Sequence, residues 1–202
     1  LLNYLKQIKP TEYVVFVDLD NINNKITKKS IESCFQKNNW SGCFANQEVG
    51  YYDIFALRAN NWNSVDCFAE IYKDNINSFS YIQEDFQMDY LFEKHVLKKM
   101  RKIKKDSEWI EVNSAFGGIG IYKYEDIKNN FYDLTPSKSE YEYECEHVNF
   151  NNRIIENGGR LFINPGFINS KYNEHNKRLK KRFLYLDKLR RFNTLRKDPF
   201  NL

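Results

Sequence analysis

The segment YVVFVDLDN, Tyr13 to Asn21, constrains this chain more than any other. Tyr13 to Val17 is an unbroken apolar, β-branched and aromatic run, the composition of a strand buried on both faces. It stops at Asp18-Leu19-Asp20 and turns polar. Open α/β sheets bind ligands beyond the carboxyl ends of their strands. A strand of this kind therefore carries two carboxylates to a binding edge. Two acids that close repel one another unless a cation or a shared proton relieves them. A divalent metal held by Asp18 and Asp20 is the first expectation; the plainer one is that both merely cap a turn.

The rest of the chain alternates strand and helix patterns, which indicates an α/β fold. A short helix is expected over 28–37, strands over 42–45 and 51–57, and a loop leading into a helix over 62–74. Met88 to Ile103 gives the clearest helix, with Leu91, Phe92, Val96, Leu97 and Met100 as its apolar stripe. EVNSAFGGIGIYK, from Glu111, reads as strand, glycine turn and strand. ECEHVNFNNRIIENGG reads as a loop running into a helix that stops at Gly158. RLFINPGFI is expected to be a strand broken at Pro165-Gly166.

A chain of 202 residues that is 42% hydrophobic suits one folded domain. No apolar run reaches membrane-spanning length and no signal-peptide pattern opens the chain, so a soluble, cytoplasmic protein is expected. Cys34, Cys43, Cys67 and Cys145 lack CxxC spacing and read as reduced structural thiols. The opening residue is Leu1, and Leu2, Leu5 and Ile8 mark a helix ended by Pro10, which reads as a start inside a larger protein.

Charge is unevenly placed. Of the net +4, Lys177 to Lys197 alone carries +9, so the remainder carries −5. An acidic body makes nucleic acid an unexpected partner. Residues 177–202 are expected to form a basic amphipathic helix or linker, separate from a domain over 1–176. That helix would pack on the body, contact a further domain, or lie on an anionic membrane surface.

Three metal-dependent classes open with a strand and paired aspartates. Haloacid-dehalogenase-type phosphatases place Thr or Val two residues after the pair, where this chain has Ile22; Asp85 and Asp89 have a tolerable spacing for their downstream acids. Small metal-dependent ribonucleases share an opening like VDLDN. A-type glycosyltransferases use the DxD pair to hold a cation against a nucleoside diphosphate sugar.

The remaining motifs favour the last class. YYDIFALR (Tyr51 to Arg58), NSAFGGIGIYK (Asn113 to Lys123), CEHVNFN (Cys145 to Asn151) and INPGF follow the DxD in that order. From Tyr13 to about His175 the chain resembles the A-type glycosyltransferases encoded by large DNA viruses of algae and amoebae, and more distantly the fungal capsule-associated mannosyltransferases. The resemblance implies a mixed central sheet flanked by helices. It also implies Mn²⁺ or Mg²⁺, a UDP- or GDP-linked sugar donor and a glycan acceptor. Such a fold places its nucleotide-base-binding strands ahead of the acidic strand, yet only 17 residues precede Asp18. Those strands are then expected upstream, or donor binding is impaired.

The resemblance gives residues their roles. Asp20 would bind the metal; Asp18 would contact sugar hydroxyls and support the ion through water; His175 would be a third ligand. Hard oxygen ligands suit a cation that neutralises a leaving diphosphate. Glu146 would be the base that takes the acceptor's proton in an inverting transfer, and a carboxylate at a helix amino end is stabilised as the anion. Glu144 and Glu146 as plain helix-start acids is the competing reading. Gly117 and Gly118 would let the backbone approach the donor sugar, or simply form a bulge. Tyr52, Asp53, Trp62 and Trp109 are candidates for an acceptor platform, with core packing the alternative for each aromatic. Two other functions stay open: a metal-dependent nuclease or phosphatase using Asp18 and Asp20, and a non-catalytic module that binds glycan or membrane.

Overall fold

The computed structural model describes residues 11–77, 84–132, 144–173 and 175–176. The expected helices at 1–10 and 177–197, and most of the irregular stretch 130–143, lie outside them.

Five strands form one mixed sheet: β1 (Tyr13–Val17), β2 (Gly42–Gln47), β3 (Ile110–Val112), β4 (Ile119–Lys123) and β5 (Leu161–Ser170), in the spatial order β1-β4-β2-β5-β3. β4 runs antiparallel to both β1 and β2, so those two are parallel to each other. β5 is parallel to β2, and β3 is antiparallel to β5. The carboxyl ends of β1, β2 and β5 therefore share one edge of the sheet with the amino end of β4.

Helices flank the sheet: α1 (Lys28–Glu32) with a 3₁₀ turn over Ser33–Gln36, α2 (Cys67–Asn77), α3 (Glu84–Phe92) with a π turn over Glu93–Leu97, α4 (Tyr124–Ile127) and α5 (Glu146–Glu156). Among the described residues no helix is long and apolar enough to cross a membrane.

Period-two alternation sorts the sheet's side chains into two cores. Phe16, Phe44, Tyr122, Leu161 and Ile163 face one layer, where Phe150 and Ile154 of α5 pack. Cys43, Ala45, Ile119, Ile121 and Phe162 face the other, with Cys34 and Trp40. All four cysteines are buried and none forms a disulfide.

Four sequence expectations need correcting. β1 is buried on one face only: Val15 and Val17 are 52% and 44% exposed on the face opposite the buried Phe16, and β1 ends the strand order among the described residues. Residues 51–57 form turns instead of a strand. Asp53 accepts from the Ala56 N–H, and Asn63 donates to the Ile54 and Leu57 carbonyls, so side chains satisfy a buried backbone that a ladder would otherwise satisfy. The helix expected over 88–103 begins at Glu84 and ends in the π turn, leaving 101–103 irregular. Pro165-Gly166 does not break β5. The strand bulges instead: between Phe44 and Asn46 its partner register moves from Ile163 to Ile168.

The strand–turn–strand of EVNSAFGGIGIYK holds, yet it is no hairpin. β3 pairs with β5 at one side of the sheet, while β4 inserts between β1 and β2.

Candidate active site

Four segments meet at the shared edge, each delivered by a different strand. Asp18 and Asp20 follow β1; Tyr51, Tyr52 and Asp53 follow β2; Phe116-Gly117-Gly118 leads into β4; His175 follows β5. Glu146 joins them as the first residue of α5.

The Gly117-Gly118 turn is the hub. Both glycines have positive φ, 69° and 88°, where a side chain is strained. A Cβ on Gly118 would lie 2.6 Å from the Ile22 side chain, and one on Gly117 would lie 3.1 Å from the Ala45 carbonyl. The close approach that these glycines permit is thus to the protein's own atoms. The Asp18 N–H donates to the Gly118 carbonyl at 2.9 Å, which extends the β1–β4 pairing by one residue. The Asp53 carboxylate accepts from the Gly117 N–H at 2.9 Å.

Three side-chain amides clamp this turn. Asn23 donates to the carbonyls of Asp18 (2.7 Å) and Gly118 (2.9 Å). Gln47 donates to the Gly117 carbonyl and to Asn169, and Asn169 donates to that same carbonyl and to Asn23. Gln47 also accepts from the Tyr52 N–H. Gln47 and Asn169 are buried and Asn23 is partly so, and amides satisfied on this scale fix a backbone in one geometry. Asn21, in the left-handed region at φ 65°, turns the chain back after Asp20, and Asp20 accepts from the Ile22 N–H.

Electrostatics single out Asp18. Burial, then the charges of Asp20, Asp53 and Glu146, push its carboxyl up to about 6, and only His175 pulls it down. Four carboxylates thus act on one another at one edge. His175 lies flat on the Tyr52 ring at 5.1 Å and 11°. Its turn is fixed by Asn173 and Asn176, each accepting from the other's backbone N–H at 2.9 Å.

On the α5 side, His147 stacks on Phe116 at 3.9 Å, and its Nδ1 lies 3.2 Å from the Tyr132 hydroxyl. Burial holds its pKa below the usual value, although Asp53 and Glu146 oppose this. His147 is therefore a neutral, fixed ring behind the exposed Glu146. Glu144 is tied elsewhere, to Arg58 at 3.3 Å, and Arg58 also pairs with Asp66 at 3.0 Å.

The edge thus brings together Asp18, Asp20, Gly117, Gly118, Tyr52, Asp53, Glu146 and His175 from the sequence-derived candidates. Trp62 and Trp109 stand apart. Trp62 packs edge-on to Tyr51, donates to the Lys99 carbonyl and lies under the Arg101 guanidinium. Trp109 packs against Phe162, which belongs to the opposite core. Asp89, weighed for a phosphatase, is exposed on α3. The amide clamp was not anticipated.

Among the described residues no three His, Cys, Asp or Glu side chains gather closely enough to cage an ion on their own. Mg²⁺ and Mn²⁺ do not need such a cage: Mg²⁺ sites commonly use one or two carboxylates and complete the shell with water and substrate phosphates. Asp18 and Asp20 fit that donor set, and the charges of Asp20, Asp53 and Glu146, which add to burial in raising the Asp18 pKa, are ones that a cation would offset. No protein-family model matches the chain, and no curated protein matches it; what speaks for its chemistry is this ring of side chains around the Gly117-Gly118 turn.

Proposed function

We propose that this chain is a metal-dependent glycosyltransferase domain that moves a sugar from a nucleoside diphosphate donor to a glycan hydroxyl, with inversion. The observation that supports it is the convergence of Asp18, Asp20, Glu146 and His175 at the carboxyl edge of the parallel strands, where burial and then the charges of Asp20, Asp53 and Glu146 raise the Asp18 pKa to about 6. In this reading the five-strand mixed sheet belongs to a glycosyltransferase A-type fold.

Asp20, exposed and past the end of β1, binds Mn²⁺ or Mg²⁺, with His175 as a further ligand. A cation there supplies neutralisation of the leaving diphosphate. Asp18, rigid in the amide clamp, holds the donor's hydroxyls. Glu146 takes the acceptor's proton; its place at the amino end of α5 stabilises the carboxylate as the anion. Tyr52, itself buried, seats His175 flat on its ring, and Asp53 keeps the Gly117 N–H oriented.

Calorimetric titration with UDP and GDP, with and without Mn²⁺, tests this on the wild type and on Asp20→Ala. The expected result is nucleotide binding that requires Mn²⁺ and vanishes in the variant, whose exposed side chain plays little part in folding. Metal-independent binding, or equal binding by Asp20→Ala, would overturn it. Phosphodiester or phosphomonoester cleavage lost in Asp18→Asn, with no sugar nucleotide consumed, would favour a nuclease or phosphatase.

A further inference from the structure

Glu146 and His147 open α5 side by side, and their side chains converge instead of fanning apart. Successive residues of a helix point about 100° away from one another. Yet His147 Nε2 lies 3.9 Å from Glu146 Oε1. The imidazole is nearly enclosed, 13% exposed, while the carboxylate is 51% exposed. A fixed ring thus stands against a carboxylate at the surface.

Two aromatic rings hold the imidazole. It stacks on Phe116 with centroids 3.9 Å and planes 17° apart. Phe116 is buried, donates its N–H to the Tyr51 hydroxyl at 3.3 Å, and leads into the Gly117-Gly118 turn. Tyr132 meets the imidazole edge-on, at 79°, and lies flat on Phe150, one turn further along α5, at 4.6 Å. The Tyr132 hydroxyl has one partner among the described residues, His147 Nδ1 at 3.2 Å.

That contact decides where the imidazole carries its hydrogen. Burial keeps His147 neutral, so one ring nitrogen bears a hydrogen and the other a lone pair. Burial also keeps the Tyr132 phenol protonated. A phenol O–H is a stronger acid than an imidazole N–H, and the imidazole lone pair is a better acceptor than a phenol oxygen. Tyr132 therefore donates to Nδ1, and the hydrogen is left on Nε2, the nitrogen that faces Glu146. Asp53 acts on the ring too, but its carboxylate oxygens already accept from the Ala56 and Gly117 N–H groups. Among the described residues only Glu146 brings a carboxylate within ion-pair distance of Nε2.

We propose that Tyr132 and His147 are a positioning pair for Glu146: Tyr132 donates to His147 Nδ1, and His147 Nε2–H donates to the Glu146 carboxylate. The exposed Glu146 side chain closes the 3.9 Å separation to the roughly 2.9 Å of a charge-assisted bond. The two hydrogen bonds rest on no reading of function; their use rests on the glycosyltransferase reading. In that reading one Glu146 oxygen is held by His147 and the other is aimed at the acceptor hydroxyl. The Phe116 stack then sets the base from the same glycine turn that holds Asp18. A base misplaced by about 1 Å loses up to about 10²-fold in rate.

Nitrogen-15 NMR of the full chain tests the pair with no substrate present, and His147→Gln assigns His147 among the three histidines. At neutral pH the wild type should show the Nε2–H tautomer. Tyr132→Phe should give a mixture of tautomers, and Glu146→Gln should move the Nε2–H proton resonance upfield. An Nδ1–H tautomer in the wild type, or an Nε2–H resonance indifferent to Glu146→Gln, would overturn the proposal. Transfer kinetics read the use of the pair. His147→Phe keeps the stack but loses both nitrogens, so kcat should fall about 10–100-fold with the donor KM unchanged. His147→Gln, whose amide reaches the Nε2 position, should recover most of that loss. His147→Asn, whose amide stands at the Nδ1 position, should not. Equal rates for the Gln and Asn variants would reduce His147 to packing and overturn the positioning role. The NMR pattern intact in a protein that transfers no sugar would sink the glycosyltransferase reading alone.

Discussion

Two regions of this molecule gather carboxylates, and they treat them in opposite ways. On α2, Glu70 and Asp74 face the π turn and Lys99 just after it, which answer each with a lysine and the His95 imidazole. Lys99 donates to Glu70, Lys94 to Asp74, and the His95 ring reaches both, at 3.3 and 2.7 Å. The Asp74 carboxyl is held below its usual range by the bonds from Lys94 and His95. At the sheet edge, burial and three neighbouring acids push Asp18 up, with His175 alone opposing. The first arrangement joins two helical segments. The second concentrates negative charge where the parallel strands end, at a cost in stability that a purely structural role would not require.

That contrast can be broken first at Glu146. It is about half exposed and first in α5, so Glu146→Gln leaves the fold intact. If it is the base, sugar transfer should fall about 10²–10⁴-fold with nucleotide binding unchanged. An unchanged transfer rate in a product assay would reduce Glu146 to a helix-start acid.

Arg58 sharpens the contrast from the structural side. Its side chain is buried, pairs with Asp66 and Glu144, and donates to the Phe55 and Leu57 carbonyls at 2.8 and 2.9 Å. Arg58→Met leaves two acids and two carbonyls without their donor. We expect a loss of about 3 kcal/mol in urea denaturation. Because Glu144 stands two residues before Glu146, transfer should fall as well, through misplacement of α5.

Asp18 tests the energetic half. Since about 6 lies above the unperturbed 3.8, the folded form holds this proton more tightly than the unfolded chain does. Ionised Asp18 therefore costs stability fully above about pH 6, and the cost fades as pH falls towards 3.8. Asp18→Asn should stabilise the fold by about 1–2 kcal/mol at pH 8, allowing for partial solvent screening, and by almost nothing near pH 3.5. A variant less stable than wild type at pH 8 would mean that the Asp18 carboxylate is already compensated.

Much of this arrangement is legible in sequence because it is local. VDLDN, the glycine pair and CEH announce a strand end, a turn and a helix start within a few residues. The depth of β1 is not local: Val15 and Val17 look like core, and their exposure follows from what packs over their face of the sheet, while Phe16 on the other face is covered. The clamp is less legible still. Gln47 and Asn169 bond across 122 positions, Asn23 and Asn169 across 146, and single amides in an Asn-rich chain give no signal. Residues 51–57 carry strand composition, yet Asp53 and Asn63 satisfy their backbone locally, and propensity lost to tertiary context.

The smallest effect lies in the compensated cluster. Lys99 donates to Glu70 and, at 2.7 Å, to Asn63, whose own amide holds the Ile54 and Leu57 carbonyls. Lys99→Met removes one partly buried charge and one neutral acceptor's partner. His95 remains beside Glu70, so the carboxylate keeps a neighbour at 3.3 Å. The expected loss is about 1 kcal/mol in denaturant, with Mn²⁺-dependent nucleotide binding unaltered. A larger loss, or any change in nucleotide affinity, would mean that Asn63 couples the helical cluster to the Tyr51–Asp53 turn. The two carboxylate groups would then be one network, not two regions built on opposite principles.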